Sequence, residues 1–270
     1  MSRLTNHESL VLFFVLAFGI SWLVFMPIVL WGAPLPLIAV ASFGPSLAAV
    51  ITHRAATGSY HAFSFYSTVQ RTLLAATSGA VVATLAYVVL PGLVLADPRK
   101  LKWGILASLG VYNYSTLLGG PLGEEPGWRG YALPRLEVRF GPTRASLLLA
   151  LVWTAWHLPL FLVPRWESLP LWSYALVLAG MSVILTWGAN LARCSIVPAI
   201  VIHSAFNTAT RYLNGLFAGT EPRPIPFELV FPMCGIFVAF ILIITTRGRL
   251  AYQVREVEVP VADKILIRRN

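Results

Sequence analysis

Residues 10–31 read LVLFFVLAFGISWLVFMPIVLW, twenty-two positions without a charge. About 20 apolar residues let a helix cross the hydrocarbon core of a bilayer, so this run is long enough to span one. It lacks a small-residue cleavage site and meets Pro34 and Pro36 in a short turn, which makes it a retained helix rather than a signal peptide. Seven further apolar runs follow: Leu35–Thr52, Thr72 to about Ala96, Trp103–Leu118, Ala145–Val163, Leu171–Leu191, Ile196–Thr210 and Leu229–Thr246. The expected fold class is therefore an all-α, polytopic membrane protein of about eight transmembrane helices. Between the second and third runs, His53–Arg71 is more polar and reads as a loop or an interfacial helix.

Composition excludes most other classes. The 270 residues are 57% hydrophobic and only 11% charged, with a mean hydropathy of +0.73, too little polar surface for a water-soluble globule. The net charge of +9 is dispersed over loops rather than gathered on one stripe, so it reads as membrane topology and not as nucleic-acid binding. Fourteen of the 20 Lys and Arg residues fall at the termini and in alternate loops, which predicts both ends on the cytoplasmic side of a multi-pass protein of the cell membrane. Arg99, Lys100 and Lys102 stand on the opposite side and weaken that bias. The two cysteines, Cys194 and Cys234, exclude a disulfide framework and a cysteine-rich zinc site. The tail from Arg247 to Asn270 is polar, reads as partly disordered and shows no chemistry.

Ionisable groups at bilayer depth cost about 3 kcal/mol or more, so each is a candidate for function. If Pro121 and Pro126 mark a helix start and Gly141-Pro142 a turn, a helix over Glu124–Phe140 runs to the cytoplasmic surface and Ala145–Val163 returns. Glu124 lies 17 residues before Gly141 and His157 lies 16 after it. At about 1.5 Å per residue the two side chains sit at nearly equal depth, roughly 20 Å from the turn. Glu125 and Arg129 stand at i and i+4 with the acid leading, the favourable order for an intrahelical pair, which leaves Glu124 without a local cation. His203 and Asn207, also at i and i+4, share a face of the seventh run at a compatible depth. Three helices can thus converge a carboxylate, two imidazoles and a carboxamide, which is the inventory of an amide-hydrolysing site.

Each signal has a plainer reading. A lone intramembrane histidine often packs helices, Asn207 alone would be interhelical glue, and the Glu125–Arg129 pair reads as structural. Trp128, Tyr131, Trp153 and Trp156 read as packing or interface residues. Other chemistries fail on the letters: HExxH is absent, the only aspartates are Asp97 and Asp263 outside the runs, and Ser46 after Gly44-Pro45 reads as a helix kink.

At these residues the chain resembles the CPBP family of intramembrane proteases, which includes the CAAX prenyl endopeptidase type and bacterial Abi-type immunity proteins. The Glu-Glu-x-x-x-Arg motif stands as Glu124 to Arg129, followed by Gly130-Tyr131-Ala132-Leu133-Pro134. An aromatic residue four before a histidine stands as Trp153 and His157, where the commoner family letter is Phe. His-x-x-x-Asn stands as His203 to Asn207. The resemblance implies a core over about residues 103–210 within an integral membrane domain over 1–246, with 247–270 as a cytoplasmic tail. It implies an endopeptidase in which Glu124 and His157 activate water, His203 and Asn207 stabilise the oxyanion, and Glu125 and Arg129 shape the site. Substrates would be peptides or proteins at the membrane, including prenylated, CAAX-like ones. A metal is left open: Glu124, His157 and His203 form an acceptable zinc set, with Asn207 a poor ligand, and the same groups equally build the metal-free, glutamate-type site expected here. The competing reading is a non-proteolytic scaffold or immunity protein holding a lipid or peptide in the same cavity. A transporter is disfavoured, because no repeat of paired broken helices is visible.

Overall fold

In a computed structural model, residues 4–62, 67–95, 117–118, 120–164, 166, 169–193, 195–217 and 226–253 are described, with the backbone alone described at 209 and 211–217. Among the described residues the secondary structure is helical, with no strand. The helices are α1 (Asn6–Trp31), α2 (Leu37–Ala41), α3 (Gly44–Thr57), α4 (Val69–Thr84), α5 (Leu90–Leu95), α6 (Pro121–Glu125), α7 (Leu133–Phe140), α8 (Pro142–His157), α9 (Leu171–Leu191), α10 (Val197–Phe217) and α11 (Phe227–Thr245). A π-helical turn over Leu85–Val89 joins α4 to α5, another over Pro126–Ala132 joins α6 to α7, and a 3₁₀ turn over Leu158–Leu162 extends α8.

Six continuous segments are long and apolar enough to cross a membrane: Asn6–Trp31, Leu37–Thr57, Val69–Leu95, Pro142–Leu162, Leu171–Leu191 and Phe227–Thr245. They coincide with six of the eight expected runs. The second is longer than expected, since α3 continues through His53 to Thr57. It is broken at Ser42–Phe43, with Pro45 in the first turn of α3, where its missing N–H costs no helical bond. The fourth run, Trp103–Leu118, lies outside the described residues except for Leu117 and Leu118, as do Arg99, Lys100, Lys102 and Cys194. The seventh, Ile196–Thr210, falls almost entirely in α10, which is not among those six segments.

Local sequence explains the ends. Thr5 caps α1 in a reciprocal box: its hydroxyl accepts from the Glu8 amide at 3.3 Å while the Glu8 carboxylate accepts from the Thr5 amide at 2.8 Å. Gly32, at φ 66°, closes the same helix in the left-handed conformation. Outward-facing Val15, Leu23, Leu93, Leu151 and Phe240 are exposed, the surface expected where lipid is the solvent.

With no hydrophobic drive between helices in lipid, small residues decide how closely they pack. Ile202 on α10 fills notches at Gly79 of α4 and Gly188 of α9, where any added Cβ would collide with it. Gly123 and Gly127 let the α6–α7 segment approach the backbone of Ser42, Phe43 and Pro45. The Ser46 hydroxyl donates to the Gly123 carbonyl, so this serine joins helices. Gly141 turns the chain at φ 74°, and α7 packs against the returning α8. The expected helix Glu124–Phe140 is therefore present, but it starts at Pro121 and carries a π-helical turn. At the other end, the Thr143 hydroxyl donates to the Gly248 carbonyl at 2.7 Å, and Leu250 is buried against Val183 and Ala239.

Candidate active site

The π-helical turn begins at Pro126, which has no N–H to continue the α-helical ladder. Such turns widen a helix by one residue and often accompany functional sites. Glu124 and Glu125 lie just before it, at the end of α6, and both are buried. Glu125 Oε1 accepts from Arg129 Nη1 at 3.1 Å, the intrahelical pair expected from the spacing. The same oxygen accepts from His203 Nδ1–H at 2.7 Å. This pair is thus more than a brace within one helix: it ties α6 to α10 and sets the plane of the His203 ring. Arg129 continues to the Ser182 hydroxyl on α9 at 3.4 Å and lies over the Trp153 ring, 4.5 Å from its centroid.

Glu124 has a different partner. Its Oε2 accepts from Trp153 Nε1–H at 2.6 Å. His157, one turn further along α8, donates Nδ1–H to the Trp153 carbonyl at 2.8 Å, because a carbonyl can only accept. In the neutral ring Nε2 then carries a lone pair, the form a base needs. Trp166 stacks on the His157 ring at 5.8 Å and 27°, and Tyr174 meets it edge-on at 5.3 Å. Trp22 on α1 donates to the Trp156 carbonyl at 3.0 Å, tying α1 to this end of α8.

A cavity of about 600 Å³ lies among these helices, and Glu124, His157, His203 and Asn207 all line it. The four residues singled out from the sequence are therefore brought to one cavity. Asn207 is on α10, and a Cβ built on Gly120 would stand 3.7 Å from its Nδ2 and 2.9 Å from Glu124 Oε1, so the carboxamide and the carboxylate flank one point. Apolar and aromatic side chains, among them Leu160, Leu178 and Phe206, form the rest of the wall.

Trp153 and Trp156, which read from the sequence as packing or interface residues, both line the cavity, and Trp153 bonds Glu124. The available signal was that Trp153 stands four before His157, on the same face of α8. Trp128 and Tyr131 are fully buried, with Phe13 5.7 and 5.0 Å away. The contribution of Trp166 and Tyr174 carried no signal in the sequence, since Trp166 lies in the connection after α8 and Tyr174 in the first turn of α9, and only packing decides that both meet His157.

Among the described residues no group of three His, Cys, Asp or Glu side chains is arranged to hold a metal ion. Glu124, His157 and His203, the ligand set named from the sequence, line one cavity without forming such a group.

Fold and site together define an all-helical, multi-pass membrane protein with a carboxylate, two imidazoles and a carboxamide on one internal cavity. Residues 109–209 match the family described as type II CAAX prenyl endopeptidase Rce1-like. A similar protein is the CAAX prenyl protease 2 of Methanococcus maripaludis, 36% identical over 95 residues that cover 31% of this chain and 34% of that one. The chain thus spans about a third of the length of the curated relative it matches. The matched segment carries all four cavity-lining residues singled out from the sequence, and over it the chain is similar to the Rce1-like CAAX prenyl endopeptidases.

Proposed function

We propose that this protein is an intramembrane endopeptidase that cleaves peptide bonds in membrane-associated substrates, with prenylated, CAAX-like C-termini as the leading class. The observation that carries the reading is the shared cavity of Glu124, His157, His203 and Asn207, with the His157 ring held so that Nε2 is its free nitrogen. A water held between the Glu124 carboxylate and His157 Nε2 gives a proton to the carboxylate as its oxygen attacks the scissile carbonyl carbon. The carbonyl oxygen becomes an oxyanion, which accepts from Asn207 Nδ2–H and from His203. With Nδ1–H already given to Glu125, His203 donates from Nε2 only when both ring nitrogens carry hydrogen. Glu124 then returns its proton to the leaving nitrogen, the C–N bond breaks, and the new carboxylic acid gives its proton to the amine, so that a carboxylate and an ammonium leave. The aliphatic and aromatic wall suits apolar side chains or a lipid chain beside the scissile bond.

The same reading keeps the integral domain at 1–246, the family core at about 103–210 and a tail at 247–270, with both ends cytoplasmic in the cell membrane. The test compares terminal peptides of membrane proteins in cells carrying the wild type or Glu124→Gln at matched expression. New termini that depend on Glu124 identify substrate and activity together. Identical profiles, with the cellular effect of the wild type retained in the variant, would sink the hydrolytic reading in favour of a scaffold. A chelator arm tests the metal: loss of cleavage that zinc restores would overturn the metal-free mechanism.

A further inference from the structure

The two oxygens of Glu124 have unlike surroundings. Oε2 is held by the Trp153 indole N–H at 2.6 Å. Oε1 lies on the Gly120 side, 2.9 Å from where a Cβ on that residue would stand, with Asn207 Nδ2 3.7 Å from the same point. We propose that Trp153 and Gly120 are positioning residues for Glu124: the indole fixes Oε2, and the absent side chain at 120 keeps the place beside Oε1 clear for the attacking water. The inference rests on the reading of Glu124 as the group that activates water.

A glutamate side chain has three torsions, and a carboxylate that swings cannot hold a water in one attack geometry. A charged hydrogen bond at 2.6 Å is among the stronger restraints a neutral donor can offer. It restrains only if the donor is itself fixed, and Trp153 is: 1% exposed, under the Arg129 guanidinium, and edge-on to His203 with ring centroids 5.2 Å apart. The indole thus stands in contact with groups of both histidine-bearing helices, α8 and α10, and relays their placement to the acid on α6. A phenylalanine at 153 would keep an aromatic ring there without the donor, so the restraint on Glu124 is a property of the indole N–H.

Gly120 is argued from space. Its φ of 173° lies outside the left-handed region. The nearest atom to an added methyl group is the carboxylate oxygen itself, at the far end of a flexible side chain, with the Asn207 amide next. An alanine there turns the carboxylate rather than breaking the packing of helices.

Two measurements on the full chain in lipid nanodiscs test the inference. The first is steady-state cleavage of an internally quenched peptide ending in a farnesylated cysteine and three further residues. Trp153→Phe and Gly120→Ala are each expected to lower kcat about tenfold to a hundredfold with KM within about twofold, the range for losing a bond to a charged group. Unchanged kcat in Trp153→Phe, while Glu124→Ala is inactive, overturns the positioning role. Glu124→Ala cleaving at the wild-type rate, or a wild type that leaves the peptide intact, instead counts against the parent reading. The second measurement does not need turnover: in an indole ¹⁵N–¹H spectrum, the resonance missing from Trp153→Phe is expected to move upfield in Glu124→Ala. If it stays in place, the bond that the inference depends on does not exist.

Discussion

Glu125 is the residue on which most of the site's order converges, because one oxygen takes both the Arg129 guanidinium and the His203 imidazole. Side chains of both Glu125 and Arg129 are fully buried, so neither charge has water to fall back on. Removing one partner of such a pair typically costs about 3–5 kcal/mol, since the other is left as an uncompensated buried charge. Glu125→Ala is therefore expected to lower thermal stability in detergent and to abolish cleavage. A variant with wild-type melting and turnover would show that the pair contributes nothing. Asn207→Ala is a milder change. Its donor matters most as charge develops on the carbonyl oxygen, so kcat is expected to fall by about a hundredfold with KM little altered. A raised KM at constant kcat would place Asn207 in substrate binding instead. His157→Ala is expected to remove cleavage while the protein still accumulates in membranes, and full activity would end its assignment as the partner of Glu124.

At the scale of elements, the approach of the α6–α7 segment to α3 sets where both glutamates lie. Gly127 stands against the backbone of Pro45, and Gly123 against that of Ser42 and Phe43, so neither position tolerates a side chain without moving a helix. Overpacking of this kind costs about 1–3 kcal/mol. Gly127→Leu is accordingly expected to lower the melting temperature and the activity together, in contrast to Gly120→Ala, which is expected to lower turnover at near-normal stability. A Gly127→Leu protein as stable and active as the wild type would mean that the two segments are not closely packed. The hairpin itself was legible from the sequence: the chain turns at Gly141, and Glu124 and His157 on either side of it line one cavity. The π-helical turn over Pro126–Ala132 was not, since Pro126 alone is also compatible with the first turn of an ordinary α-helix.

For the whole molecule, the distribution of Lys and Arg predicts that a reporter fused at either end reads as cytoplasmic. Reporters on opposite sides would overturn that topology, and with it the depth assigned to the site. The packing adds a firm point near the C-terminal side: Leu250 is fully buried and the Gly248 carbonyl accepts from Thr143, so residues up to that point are fastened to the start of α8 and the flank of α9.

What the sequence by itself determined are the properties carried by a single helix. The uncharged runs require a lipid solvent, the i and i+4 spacings place Glu125 with Arg129 and His203 with Asn207, and equal distances from Gly141 match two depths. These follow from helical geometry, which is the same in every context. What only the tertiary structure decided depends on how helices are rotated about their axes and how closely they approach. That includes the indole of Trp153 bonded to Glu124, the second partner of Glu125 on α10, the stacking of Trp166 on His157, and the seating of Ile202 between Gly79 and Gly188. Each joins residues far apart in the chain, and a periodicity within one helix carries no information about the helix it will meet.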